Sequence, residues 1–154
     1  MSVSPTLQTF LNQGDIPYRL IRHPYTETSL SCALAAHVPA RQMAKGVVLS
    51  DDEGFMMAVV PSDRRVDLDA INQKMGRIFS PAAQRDVKIL FRDCNKGAVP
   101  ALGQAYNVPV IWDDHLANEP DCYMEAGDHQ DLLCFSQTTF KRVMSEKPHG
   151  MISH

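Results

Sequence analysis

One cation and one run of small residues carry the chemistry legible in this chain. Lys45, with Gly46 beside it, opens an apolar, β-branched stretch. An ammonium held there is costly unless it reaches water, a partner or a ligand. Taken alone, a lysine that lays its stem on apolar surface and keeps its head in solvent is the commoner arrangement. The second feature is the loop Gly97-Ala98-Val99-Pro100, followed by Gly103. Small residues leave backbone N–H groups accessible, and such groups can donate to a carbonyl oxygen that turns negative during ester cleavage. A structural turn is the commoner use of the same residues. No nucleophile–base pair accompanies either feature. Lysine and amide donors together suit a site that positions and polarises instead of attacking covalently.

Other chemistries find no pattern here. The sequence has no Gly-x-Gly-x-x-Gly, no Walker loop, no Gly-x-Ser-x-Gly elbow and no His-Glu-x-x-His. Its six histidines are scattered, and any one alone is more often structural or solvated than catalytic. Cys32, Cys94, Cys122 and Cys134 form no Cys-x-x-Cys, and no neighbouring pair of histidines completes a zinc pattern. Buried free thiols in a reducing cytosol are the preferred reading. A thiol-dependent redox or metal protein built on Cys94, Cys122 and His129 is the rival, to be discarded if both cysteines can be replaced without loss.

The chain's 154 residues fit one ordinary domain over 1–145, with 146–154 expected as a loose tail. Fifteen basic and 18 acidic residues give −3, which argues against a dedicated wrapper of duplex nucleic acid but not against a grip on one RNA end. Residues 62–96 hold eight Lys/Arg against five Asp, while 113–131 hold seven acids and no Lys or Arg. One flank can therefore face phosphates and another repel them. No charged-then-apolar leader and no membrane-length run is present, so a cytoplasmic protein without membrane contact is expected.

The elements that must position these residues centre on 42–61. Two apolar runs flank an Asp-Asp-Glu-Gly turn, the clearest hairpin signal in the sequence, and their continuity predicts strands covered on both faces in mid-sheet. Helices are expected over 5–11, over 30–37 with Thr28 or Ser29 as cap, from 68 to 75 with Gly76 as stop, briefly from Pro81, and from 138 or 139 to 144. Strands are expected at 17–22, 78–79, 87–91, 108–112, 122–125 and 132–135. Interspersed strands and helices, with a 91–109 connection too Gly-rich for a helical crossover, point to a mixed α/β (α+β) fold: a central mixed, largely antiparallel sheet flanked by helices.

The order of these features resembles a known family. His23-Pro24, the Lys45-x-Val-Val-Leu strand, Ala58-Val59-Val60-Pro61 followed by Val66-Asp67-Leu68, the 97–103 loop and Asp113 after a strand are similar to the YbaK/ProX family. These are free-standing relatives of the editing insertion domain of bacterial prolyl-tRNA synthetase, and the similarity runs over roughly 7–144. The resemblance implies trans-editing: hydrolysis of an amino acid wrongly esterified to the 3′ end of a tRNA, with no metal and no cofactor. It assigns the family's lysine to Lys45 and its glycine-containing loop to Gly97 and Ala98 as the catalytic groups. The family loop is Gly-x-x-x-Pro, whereas this chain has Gly-Ala-Val-Pro with Lys96 at the first glycine's place.

The implied partner is the acceptor end of an aminoacyl-tRNA. Docking on an aminoacyl-tRNA synthetase and the oligomeric state stay open. Gly46, Val99 and Pro100 are expected to line the substrate site, His129 to meet the substrate amino group or a water, and Tyr25 and Thr28 to shape the pocket. The alternative in the same fold is a non-catalytic binder of tRNA ends or of aminoacyl-nucleotide-like small molecules.

Overall fold

The computed structural model describes residues 3–154. Helix α1 (Pro5–Gln13) is followed by strand β1 (Arg19–Arg22), then α2 (Ser29–Ala35), whose N-cap Thr28 accepts the Ser31 amide hydrogen. A single 3-10 turn leads into the hairpin of β2 (Ala44–Asp51) and β3 (Gly54–Pro61), which pair antiparallel along their whole length. Helix α3 (Leu68–Met75) is capped by Asp67 and closed by Gly76 in the left-handed region, φ 65°. There follow β4 (Ser80–Pro81), α4 (Gln84–Leu90), β5 (Val110–Asp113), β6 (Asp121–Glu125), β7 (Asp131–Ser136), α5 (Gln137–Val143) and β8 (His149–Gly150).

The strands form two sheets. One has the order β4-β2-β3-β5-β8, with the hairpin inside it as predicted; β3, β5 and β8 run parallel and the remaining pairs antiparallel. The other is the antiparallel β1-β7-β6. A parallel bridge between Met43 and Tyr123 joins them, laying β6 across the entrance of β2. Both faces of β3 are covered. Met57 and Val59 enter the main core with Leu7, Leu11, Leu133, Phe135 and Phe140, while Met56, Ala58 and Val60 enter a second core with Ile71, Phe79 and Ile152. The period-2 alternation of a strand thus divides one apolar run between two cores.

Three sequence expectations are corrected. Residues 87–91 lie in and just after helix α4 and are not a strand: Val87, Leu90 and Phe91 turn to the main core at helical spacing while Ile89 is exposed. Ser80 and Pro81 form β4 against Leu49 and Ser50 instead of starting that helix. The last nine residues, expected as a loose tail, are built into the fold. β8 pairs with β5, Ile152 is buried, and His154 exchanges two backbone hydrogen bonds with Arg65. No helix among the described residues is long and apolar enough to cross a membrane.

Candidate active site

β2 enters its sheet at buried Ala44, but the next three residues, Lys45, Gly46 and Val47, are only partly covered. A cleft of about 330 Å³ opens over them. Its walls come from Ser29 at the start of α2, Ala82 and Val87 on the α4 side, Gly97 and Val99 of the loop, and Glu125 at the end of β6. The predicted lysine and the predicted loop therefore share one cavity. At Gly46 a Cβ would stand 2.6 Å from the sulfur of buried Met57, so a larger residue there must displace that side chain. Lys45 forms no ion pair among the described residues. Burial holds its ammonium below the ordinary 10.5, the Arg65 charge adds to the depression, and Asp63 offsets part of it.

The loop is anchored from behind. The Asn95 amide donates to Gly127 O (2.8 Å), the Ala98 amide donates to Asn95 O (2.9 Å), and His129 Nε2–H donates to Lys96 O (2.5 Å). Gly97 lies at φ +82°, a conformation that strains any residue with a Cβ. Ala98 is fully buried with its amide spent inside the turn. The N–H groups of Gly97 and Val99 have no acceptor among the described residues, so the amide pair available to a ligand is 97 and 99 instead of 97 and 98. Pro100 is buried and does not line the cleft.

His129 also lies elsewhere than expected. It is 1% exposed and sits beneath Gly97, with Nδ1 3.2 Å from Glu125 Oε2, so it braces the loop and does not face the cavity. Its own φ of +62° is held by a turn in which Asp128 accepts the amide hydrogens of Gln130 and Asp131. Tyr25 is exposed and meets the His129 ring edge-on at 5.3 Å, and Thr28 acts through its cap, which sets Ser29 in the wall. Cys94, Cys122 and His129 do not converge. Among the described residues the metal-ligating types cluster at His23, Cys32 and Glu125.

Glu125 is the wall residue that the sequence did not disclose. It is 3% exposed; burial pushes its carboxyl above the ordinary 4.5, only partly opposed by the Cys32 hydrogen bond and the neighbouring His129. Beyond Val87 and Gly97 a smaller hollow of about 90 Å³ continues the cleft, bordered by Lys88, Arg92 and Lys96. Three cations thus follow one another beside the site, the basic flank anticipated from composition.

Comparison with known proteins agrees with this architecture. No curated protein matches the chain. Among solved structures it is similar to the hypothetical protein APE2540, with a TM-score of 0.85 and 20% identity over 97% of this chain and 99% of that one. It is likewise similar to a protein described as a candidate trans-editing enzyme for prolyl tRNA synthetase, with a TM-score of 0.83 and 21% identity over 99% of each chain. A sequence model described as an aminoacyl-tRNA editing domain matches residues 23–143, from the His23-Pro24 turn through the cleft to α5. The chain belongs to the aminoacyl-tRNA editing domain family.

Proposed function

We propose that this protein hydrolyses the ester linking a wrongly attached amino acid to the 3′ end of a tRNA, with the reaction placed in the cleft between Lys45 and the 97–99 loop. The observation that carries the reading is that Lys45, Gly97 and Val99 line the same cavity, and that among the described residues the ammonium has no ion pair and the two amides no acceptor. These three groups each lack an acceptor among the described residues, and an ester carbonyl or a phosphate supplies one. Water adds to the carbonyl carbon, the oxygen becomes negative, and the Gly97 and Val99 amides receive it. The bond from that carbon to the ribose oxygen then breaks, the ribose oxygen takes one of the water's protons, the other passes to solvent, and the amino acid departs as its carboxylate.

An aminoacyl ester is already activated, so orientation and oxyanion stabilisation suffice; one such donor is worth roughly 3–4 kcal/mol. Lys45 holds the carbonyl oxygen or the terminal phosphate. A volume of about 330 Å³ suits the aminoacyl group and part of its ribose. The backbone leading to it would run along Lys88, Arg92 and Lys96.

The test is a panel of mischarged tRNAs incubated with the protein and with Lys45→Ala. Release of amino acid from at least one member is expected, and the variant should lose about 10²-fold or more of that rate while its unfolding transition is retained. A variant as fast as the parent refutes the site. A parent protein that shields every ester instead of cleaving it makes the chain a binder of tRNA ends.

A further inference from the structure

Five buried side-chain polar atoms among the described residues lack a hydrogen-bond partner, and three of them stand together: His23 Nε2, Glu125 Oε1 and His129 Nδ1. Their protons are accounted for by the neighbours. His23 Nδ1–H donates to Pro24 O at 2.7 Å, which leaves Nε2 as a bare lone pair. His129 Nε2–H donates to Lys96 O, so its Nδ1 likewise turns a lone pair toward Glu125 Oε2. Against these acceptors the cluster offers the Cys32 thiol hydrogen, 3.3 Å from Glu125 Oε2, and the Thr26 hydroxyl at 2.8 Å from Cys32 Sγ competes for it. His23, Cys32 and Glu125 are each at most 5% exposed. A buried knot of acceptors with too few donors suits a cation.

We propose that His23 Nε2, Cys32 Sγ and the Glu125 carboxylate bind a zinc-class divalent transition metal ion. One ligand atom from each residue lies within 4.8 Å of the other two, a spacing that a small side-chain adjustment closes around such an ion. A nitrogen, a sulfur and a carboxylate oxygen suit zinc or its cobalt(II) substitute, whereas magnesium and calcium require an oxygen shell. The Pro24 carbonyl fixes the His23 ring with Nε2 inward, the outer support that metal-binding histidines have. On binding, the metal–sulfur bond replaces the Cys32 S–H bond and the proton leaves to solvent. No oxidant or reductant is involved.

The three ligands come from separate places: the turn after β1, helix α2 and the end of β6. The ion would tie α2, which carries Ser29 of the cleft wall, to Glu125 of the same wall. The site stands on its own orphaned atoms and holds whether or not the cleft hydrolyses an ester.

The test is titration of chelator-stripped protein with cobalt(II), followed by zinc(II) competition and thermal unfolding. One equivalent of cobalt should bind with a thiolate-to-metal charge-transfer band, and zinc should displace it and raise Tm. Cys32→Ser should lose the charge-transfer band, His23→Gln and Glu125→Gln should weaken binding by about tenfold or more, and Cys94→Ser should behave as the parent. The parent protein decides the matter even if a variant fails to fold. Failure to take up cobalt, or uptake with a band that survives Cys32→Ser, overturns the site.

Discussion

Two buried carboxylates sit at the ends of two strands and are supplied in opposite ways. Asp113, at the end of β5, is fully buried and accepts four hydrogens. The His115 amide and ring Nδ1–H go to Oδ1 (2.8 and 2.6 Å), and the Ile152 amide and Ser153 hydroxyl go to Oδ2 (3.1 and 2.7 Å). Glu125, at the end of β6, is equally hidden and has one thiol donor and an orphaned oxygen. Burial pushes both carboxyls up. At Asp113 the Ser153, His115 and Ile152 donors outweigh it and hold the group below the ordinary 3.8, while at Glu125 burial prevails. Burial alone therefore does not tell a well-supplied acid from an undersupplied one. The supply of donors does.

The largest effect expected from this contrast is that of Asp113→Asn. An amide nitrogen would face either the two His115 donors or the Ile152 N–H, and at least one buried donor would lose its acceptor. A loss of about 3 kcal/mol in urea unfolding is expected, because these are hydrogen bonds to a charged group. The loss should reach the 148–154 segment first, since Asp113 fastens Ile152 and Ser153, and hydrogen exchange at Ile152 would report it. A cost no greater than that of a surface change would mean that Asp113 is not what holds β8.

That segment also shows where the sequence was legible and where it was not. The β2–β3 hairpin was readable because two β-branched runs and a glycine turn are local signals, and Lys45 and Gly97 could be named because they stand at the edges of such signals. β8 is two residues long and is stabilised by a strand nearly forty positions earlier, Trp112 pairing with His149, so no periodicity announces it. The Val87-Lys-Ile-Leu-Phe stretch suits a strand by composition, and only the core lying on one side of it decides for a helix. Ala98 looked like a free donor because a turn's internal hydrogen bond leaves no mark in the residue types. Glu125 was invisible for the same reason as β8. Its partner Cys32 is 93 positions away, and a glutamate closing a strand reads as an ordinary surface acid.

A smaller effect appears in acid. Asp113 ionises more readily folded than unfolded, so its stabilisation is complete above the unfolded value near 3.8. Below that value the unfolded chain takes up the proton first, and stability drains until the folded carboxyl is protonated too. Asp51 adds to the same limb: the Arg77 fork, at 2.6 Å to each oxygen, pulls it down to about 2, so its share drains between about pH 4 and pH 2. In Asp113→Asn the slope of stability against pH in this window should become shallower without vanishing, because Asp51 remains. An unchanged slope, followed by urea unfolding at stepped pH, would remove Asp113 from the depressed group.

The smallest effect, and the sharpest contrast with Asp113→Asn, is expected for Glu125→Gln in chelator-treated protein. The glutamine oxygen can still accept the Cys32 thiol, and its NH₂ group, in the place of the orphaned Oε1, can donate toward His23 Nε2, which now has no hydrogen bond. The substitution adds donors to a site that lacks them and removes a carboxyl whose ionisation burial opposes. Stability should therefore change by less than about 1 kcal/mol, with the sign toward a gain. The same substitution should weaken zinc binding by about tenfold or more. Two carboxylates of equal burial would then answer one chemical change in opposite directions, one losing an anchor and the other losing only a ligand. If Glu125→Gln destabilises the metal-free protein as much as Asp113→Asn does, Glu125 has donors that its geometry does not display, and the distinction between the two sites falls.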